Sequence, residues 1–170
     1  MKVLFIFAAA AFAVQPVAAH PEAEQQSAAA PTLVTQKKAV VSNEGAVRAV
    51  LSQYKAAIER LDASGTERLF RADSTIFETG GVEGNYRNYL AHHLGPELKA
   101  FKSFHFSDYK IEVRFEGPVA LATETYNYRI ETKSGEIAER RGVATSVLKK
   151  IGGQWKILSM HNSARKPKGG

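Results

Sequence analysis

The chain has 170 residues, 44% hydrophobic and 24% charged, with a formal charge of +6 at pH 7. Those figures fit one ordinary globular domain large enough to bury a core. It contains no cysteine, which excludes disulfides, thiol catalysis, thiolate metal sites and a lipid-modified N-terminal cysteine.

Lys2 precedes the apolar run Val3 to Val14, and Val17-Ala18-Ala19 follows. A basic residue, a short apolar stretch and small residues at the −3 and −1 positions predict a secretory signal peptide over residues 1–19, cut after Ala19. The run is shorter than the roughly 20 residues that span a bilayer. No membrane span is therefore expected after cleavage, and the expected location is periplasmic or secreted. Residues 20–42, rich in Ala, Gln, Glu and Pro without an apolar period, read as a flexible linker. The domain is expected over residues 43–165, with a basic tail over 166–170. No aromatic residues interleave with the tail's charges, so it reads as a solvated terminus and nucleic acid is not an expected partner.

Ser42 or Asn43 can cap a first helix. Val47, Val50, Leu51, Tyr54, Ile58 and Leu61 recur at three- and four-residue spacing along it. Asp62-Ala63-Ser64-Gly65 breaks this helix, and Thr66 to Phe70 reads as a short second one. Thr75 to Glu78 reads as a short strand, and Gly80-Gly81 as a turn. A third helix is expected over Glu83 to Leu94, with Tyr86, Tyr89, Leu90 and His93 on one face. Gly95 would end it, and Pro96 would start a further short helix to Phe101. Long alternating strands follow: Phe104 to Phe115, Val119 to Thr132, Ile137 to Lys150 and Trp155 to Arg165. Helices first and antiparallel strands afterwards indicate an α+β domain.

The pattern resembles the nuclear transport factor 2-like superfamily, in its SnoaL-like and ketosteroid-isomerase-like branch. The resemblance is carried by Tyr54 through Glu78, with Leu69-Phe70, Asp73 and Thr75, and by the closing hairpin Gly142 to Lys150, Gly153 to Leu158 and His161-Asn162-Ser163. It implies a cone-shaped, curved antiparallel sheet with about three N-terminal helices on its concave face, usually paired as a homodimer. It also implies that Tyr54 donates a hydrogen bond to a substrate oxygen and that Glu78 is a general base, the two candidate catalytic residues. Such a base needs a carboxylate at the rim of an apolar cavity. The alternative is a core tyrosine and a carboxylate that caps a turn or helix.

The expected pocket comprises Tyr54, Glu78, Tyr89, His93, Glu124, Tyr126 and His161, and the expected ligand is a small, partly apolar molecule. Glu124, Tyr126 and Tyr128 share one face of their strand with Ala120 and Ala122, which suits a cavity floor or plain cross-strand packing. His161 shares strand parity with Trp155 and Ile157, so pocket and outer face both stay open to it. No metal site is predicted. His93 and Glu97 are its weak candidates, because Gly95-Pro96 is expected to break the helix between them, and no HExxH spacing is present. There is no phosphate loop, GxSxG elbow or nucleotide fingerprint, so no cofactor is expected. Arg140-Arg141 reads as an anion contact or as charge that guards a sheet edge. Binding protein, cofactor-free isomerase or lyase, and structural or partner-binding protein all remain open from the sequence.

Overall fold

The computed structural model describes residues 33–167. The predicted signal peptide and residues 20–32 of the predicted linker lie outside the described residues. Helix α1 spans Leu33–Glu59, so it begins upstream of the Ser42 or Asn43 cap. No glycine or proline lies between Leu33 and Ser42, and nothing in that stretch stops a helix that Val47, Leu51 and Ile58 anchor by burial. The helix closes at the predicted break. Leu61 takes φ 55°, its N–H reaches the Ile58 carbonyl at 2.9 Å, and the Asp62 N–H reaches that of Ala57 at 3.0 Å. This left-handed stop usually takes glycine.

Thr66–Leu69 forms a single 3₁₀ turn in place of a second helix, and the chain passes straight into β1 (Phe70–Glu78). Gly80, at φ 86°, turns it back into β2 (Gly81–Gly84), where the sequence suggests the start of a helix. Asn85 caps the next helix, accepting the Asn88 N–H at 2.9 Å. In that helix, α2 (residues 86–100), the α-turns Tyr86–Tyr89 and Gly95–Ala100 are joined through the π-turn Leu90–Leu94. The expected stop at Gly95 does not occur. Among the described residues two helices, rather than about three, cover the sheet.

Proline inside an α-helix loses an N–H, and its ring presses on the carbonyl four residues back. Here the helix widens just before Pro96, with the Gly95 N–H bonding to the Leu90 carbonyl, and a π-turn of this kind absorbs the crowding. Gly95 permits it, since a Cβ there would lie 2.5 Å from the Leu90 carbonyl oxygen.

Strands β3 (Phe101–Glu116), β4 (Val119–Thr132), β5 (Ile137–Ile151) and β6 (Gln154–Arg165) form an antiparallel meander. The six strands make one curved sheet in the order β2-β1-β6-β5-β4-β3. β1 lies parallel to β6, so the sheet is mixed rather than purely antiparallel. No hairpin joins the two, and the direction of β1 is set by the helix before it. The helix-facing side buries Ile76, Ala122, Leu148, Ile157 and Met160 with Val47 and Leu51. Phe70 and Tyr86 stack at 3.6 Å, and Tyr54 meets them edge-on at 5.4 and 5.9 Å. These three rings join α1, β1 and α2 by burial plus about 0.5–1.5 kcal/mol per pair.

Gly95→Ala adds a strong helix former, yet it is expected to destabilise the protein by about 1–3 kcal/mol through the clash with Leu90. Urea denaturation measures this; a stabilised variant contradicts the account of the π-turn.

Candidate functional site

Between α1, α2 and the helix-facing side of β3, β4 and β6 lies a cavity of about 180 Å³. Tyr54 enters from α1, Glu78 from the end of β1, Tyr89 and Glu97 from α2, and Tyr126 and Tyr128 from β4. Phe101, Phe104 and Phe106 of β3 supply apolar wall. Phe104 stacks on Tyr128 at 5.2 Å, and Phe106 meets Tyr126 edge-on at 5.0 Å.

Glu78 is the last residue of β1 and points to the helix side with Ser74 and Ile76. The Tyr89 hydroxyl donates to its Oε2 at 2.5 Å. His93, one turn further along α2, stands with Nε2 3.9 Å from Glu78 Oε2 and 3.5 Å from Glu97 Oε1, and with Nδ1 3.2 Å from Glu83 Oε2. The unbroken α2 brings His93 and Glu97 to one face, contrary to the break expected at Gly95-Pro96. Among the described residues no group of three or more His, Asp or Glu side chains has the geometry to hold a metal ion. His93 borders the site behind Tyr89, with their rings 5.2 Å apart.

Burial pushes the Tyr54 hydroxyl well above its ordinary range, and Tyr89, Tyr86 and Glu78 beside it add to the shift. Burial, then Glu78, do the same to Tyr89. Burial, then Glu124, do it to Tyr126. These phenols therefore stay protonated and serve as neutral donors.

Glu124 is 5% exposed. It faces a smaller hollow of about 30 Å³ that Tyr54, Phe106 and Tyr126 divide from the main one. Tyr109 donates to its Oε1. Lys55 lies 5.2 Å from the Tyr109 and Phe106 ring centroids, with its ammonium bonded to Glu59 at 2.6 Å. Burial raises the Glu124 carboxyl above the carboxylate range, against the pull of the Tyr109 hydrogen bond.

His161 lies elsewhere. The β5–β6 register slips where Val147 pairs with Ser159 and Leu148 with Ile157, leaving Leu158 as an extra residue that reverses the alternation. Met160 and Asn162 face the helices. His161 is exposed on the outer face, edge-on to Phe77 at 6.1 Å. The parity count from Trp155 fails at this bulge, and Asn162 takes the cavity position.

Two further site residues carry little signal in the sequence. Gly142, opposite Tyr126 on β5, leaves room for its ring, and a Cβ there would lie 2.2 Å from Tyr126 Cε2. A glycine inside a strand pattern is the available clue. Tyr109 falls next to a bulge, after Asp108 at φ 52°, so its pairing with Glu124 is not readable from alternation.

A carboxyl whose proton is held more tightly when folded stabilises the fold below the ordinary carboxylate range, and that stability is lost as the pH rises through the folded value. Glu124→Gln keeps an acceptor for Tyr109 and removes the ionisation. Its stability relative to wild type is expected to increase as the pH rises from the ordinary carboxylate range through the raised folded value, in urea denaturation. A constant difference contradicts the raised carboxyl.

The SnoaL-like domain profile matches residues 47–166. Similar solved structures include a nuclear transport factor 2-like superfamily protein from Salmonella enterica serovar Typhimurium, at 19% identity and a TM-score of 0.65, covering 78% of this chain and 96% of that one. A provisionally assigned ketosteroid isomerase from Shewanella frigidimarina is 26% identical with a TM-score of 0.57, covering 67% and 91%. A provisionally assigned scytalone dehydratase from Novosphingobium aromaticivorans is 15% identical with a TM-score of 0.63, covering 76% and 88%. No curated protein sequence matches the chain.

Proposed function

Because the chain belongs to the SnoaL-like domain family, within the nuclear transport factor 2-like superfamily, we propose that it binds a small, flat, partly apolar molecule. The site is the cavity between Tyr54, Glu78, Tyr89 and Tyr126. One observation carries this reading: an aromatic-walled space of about 180 Å³ contains a carboxylate, Glu78, held in place by the Tyr89 hydroxyl at 2.5 Å. A ring would fill the wall contacts of Phe104 and Phe106, and a hydroxyl on it would donate to Glu78. The space is below the roughly 300–1,000 Å³ of drug-sized ligand pockets, which favours a molecule of about one ring.

A second reading rests on Tyr54 and Glu78 lining the same cavity. A carboxylate there takes a proton from carbon next to a carbonyl while the neutral Tyr54 hydroxyl supports the charge that develops on oxygen. This is cofactor-free isomerase or lyase chemistry, in line with the name of the Shewanella structure. Family membership alone does not select it. Export after cleavage at Ala19 and pairing with a second copy stay with the proposal, supported by the N-terminal sequence pattern and the superfamily resemblance respectively.

Phenol is the probe for the first reading. Calorimetry is expected to give saturable binding that Glu78→Gln weakens about tenfold, and that Ala164→Phe, which fills the cavity from β6, abolishes. Equal binding by all three proteins contradicts the cavity as the site. For the second reading, wild type but not Glu78→Gln is expected to speed deuterium exchange at the α-carbon of cyclohexanone, followed by proton NMR. No acceleration by wild type contradicts the base role while leaving binding standing.

A further inference from the structure

The outer face of the sheet carries a second hollow, of about 470 Å³, at the end of β6. Lys110 of β3, Arg141 of β5 and Arg165 and Lys166 at the end of β6 line it, with Thr125 and Asn127 of β4 between them. The acidic residue there is Asp108, whose Oδ2 accepts from the Asn127 amide at 2.8 Å. Arg141 and Arg165 are direct cross-strand partners, and like charges in that relation repel. Among the described residues, the ion pairs within 4.0 Å leave out Lys110, Arg141, Arg165 and Lys166.

Edge protection does not explain these charges. β5 lies inside the sheet, between β4 and β6, so Arg140-Arg141 guard no edge. The two arginines also separate. Arg141 joins the outer hollow, while Arg140 belongs to the opposite face, where its charge lowers the Tyr128 hydroxyl against the larger effect of burial. We propose that the outer hollow is an anion site for a small, multiply charged oxyanion of the phosphate-ester class, gripped by Arg141 and Arg165. Guanidinium groups pair with such oxygens two at a time, and an anion between the two arginines converts their repulsion into attraction. Lys110 and Lys166 add charge from either side. The hollow is open, which suits a ligand with a charged head and the rest of its body in solvent. The charged groups lie on the sheet face opposite the aromatic cavity, with Tyr126 of β4 bordering both spaces, and the proposal does not rest on the function proposed for that cavity.

Pyrophosphate is the probe, titrated into the full chain at about physiological ionic strength and followed by amide chemical shifts. Saturable shifts are expected at Lys110, Arg141 and Arg165. Affinity should fall at least about tenfold in Arg141→Gln/Arg165→Gln and stay unchanged in Lys149→Gln/Lys150→Gln, whose charges lie at the other end of β5. Arg141→Gln alone is the substitute if the double variant does not fold, with a smaller loss in the same direction. Absence of saturation, equal affinity in the arginine variants, or equal loss in the lysine pair overturns the assignment. Phosphatidylglycerol vesicles separate the sources. Flotation with vesicles without binding of pyrophosphate overturns a site for a free oxyanion and indicates a lipid surface.

Discussion

A proline in the middle of α2 has to be accommodated, and the way this happens decides where Tyr89, His93 and Glu97 stand. A break at Gly95 would split the segment into two short helices with independent directions. The π-turn at Leu90–Leu94 instead keeps one rod from Tyr86 to Ala100. Its first turn is pinned by the Phe70–Tyr86 stack at 3.6 Å and by the pairing of the Tyr86 hydroxyl with Thr66 at 2.7 Å. Its last turn leads directly into β3. Tyr89 is thereby held over the end of β1, where Glu78 meets it. The cavity exists because this rod and α1 are both anchored to the sheet yet cannot close on the bulky rings of β3 and β4.

The electrostatics of that space follow from burial. Phenols in it are driven to stay protonated, so the cavity offers donors near a carboxylate, Glu78, that accepts. Glu124 occupies a different environment a short way along, buried with one tyrosine as its partner, and its proton is favoured. Glu78 lines the main cavity and Glu124 the smaller hollow, with Tyr126 bordering both. The charged groups of the outer face belong to another problem, since the sheet separates them from this interior.

Much of the fold was legible because the long strands alternate cleanly and their turns are marked by Gly117-Pro118, Ser134-Gly135 and Gly152-Gly153. The apolar stripe of α1 was equally clear. Failures came where a local signal was overruled by tertiary context. Gly95-Pro96 is a strong stop in isolation, but a widened helix that is pinned at both ends carries it. Gly81 to Gly84 is too short and too weakly patterned to read as a strand, and pairing with β1 makes it one. Within the site, helix and strand periodicity put Tyr54, Tyr89 and Tyr126 on faces that line the cavity, while Glu78 was singled out by the family resemblance, since adjacent Ile76 and Phe77 leave its side of the strand undecided. The place of His161 could not, because one bulged residue, Leu158, inverts every side chain beyond it. The Arg141–Arg165 juxtaposition depends on strand pairing that brings distant residues into register, and no spacing along the chain encodes it.

The central claim is that the space between Tyr54, Glu78, Tyr89 and Tyr126 receives a ligand. The most direct measurement is a crystal structure of the protein soaked with phenol. The account predicts a ring lying against Phe104 and Phe106 with its hydroxyl in hydrogen-bond reach of Glu78. A cavity closed by its own side chains, or phenol bound only on the outer face, would contradict it.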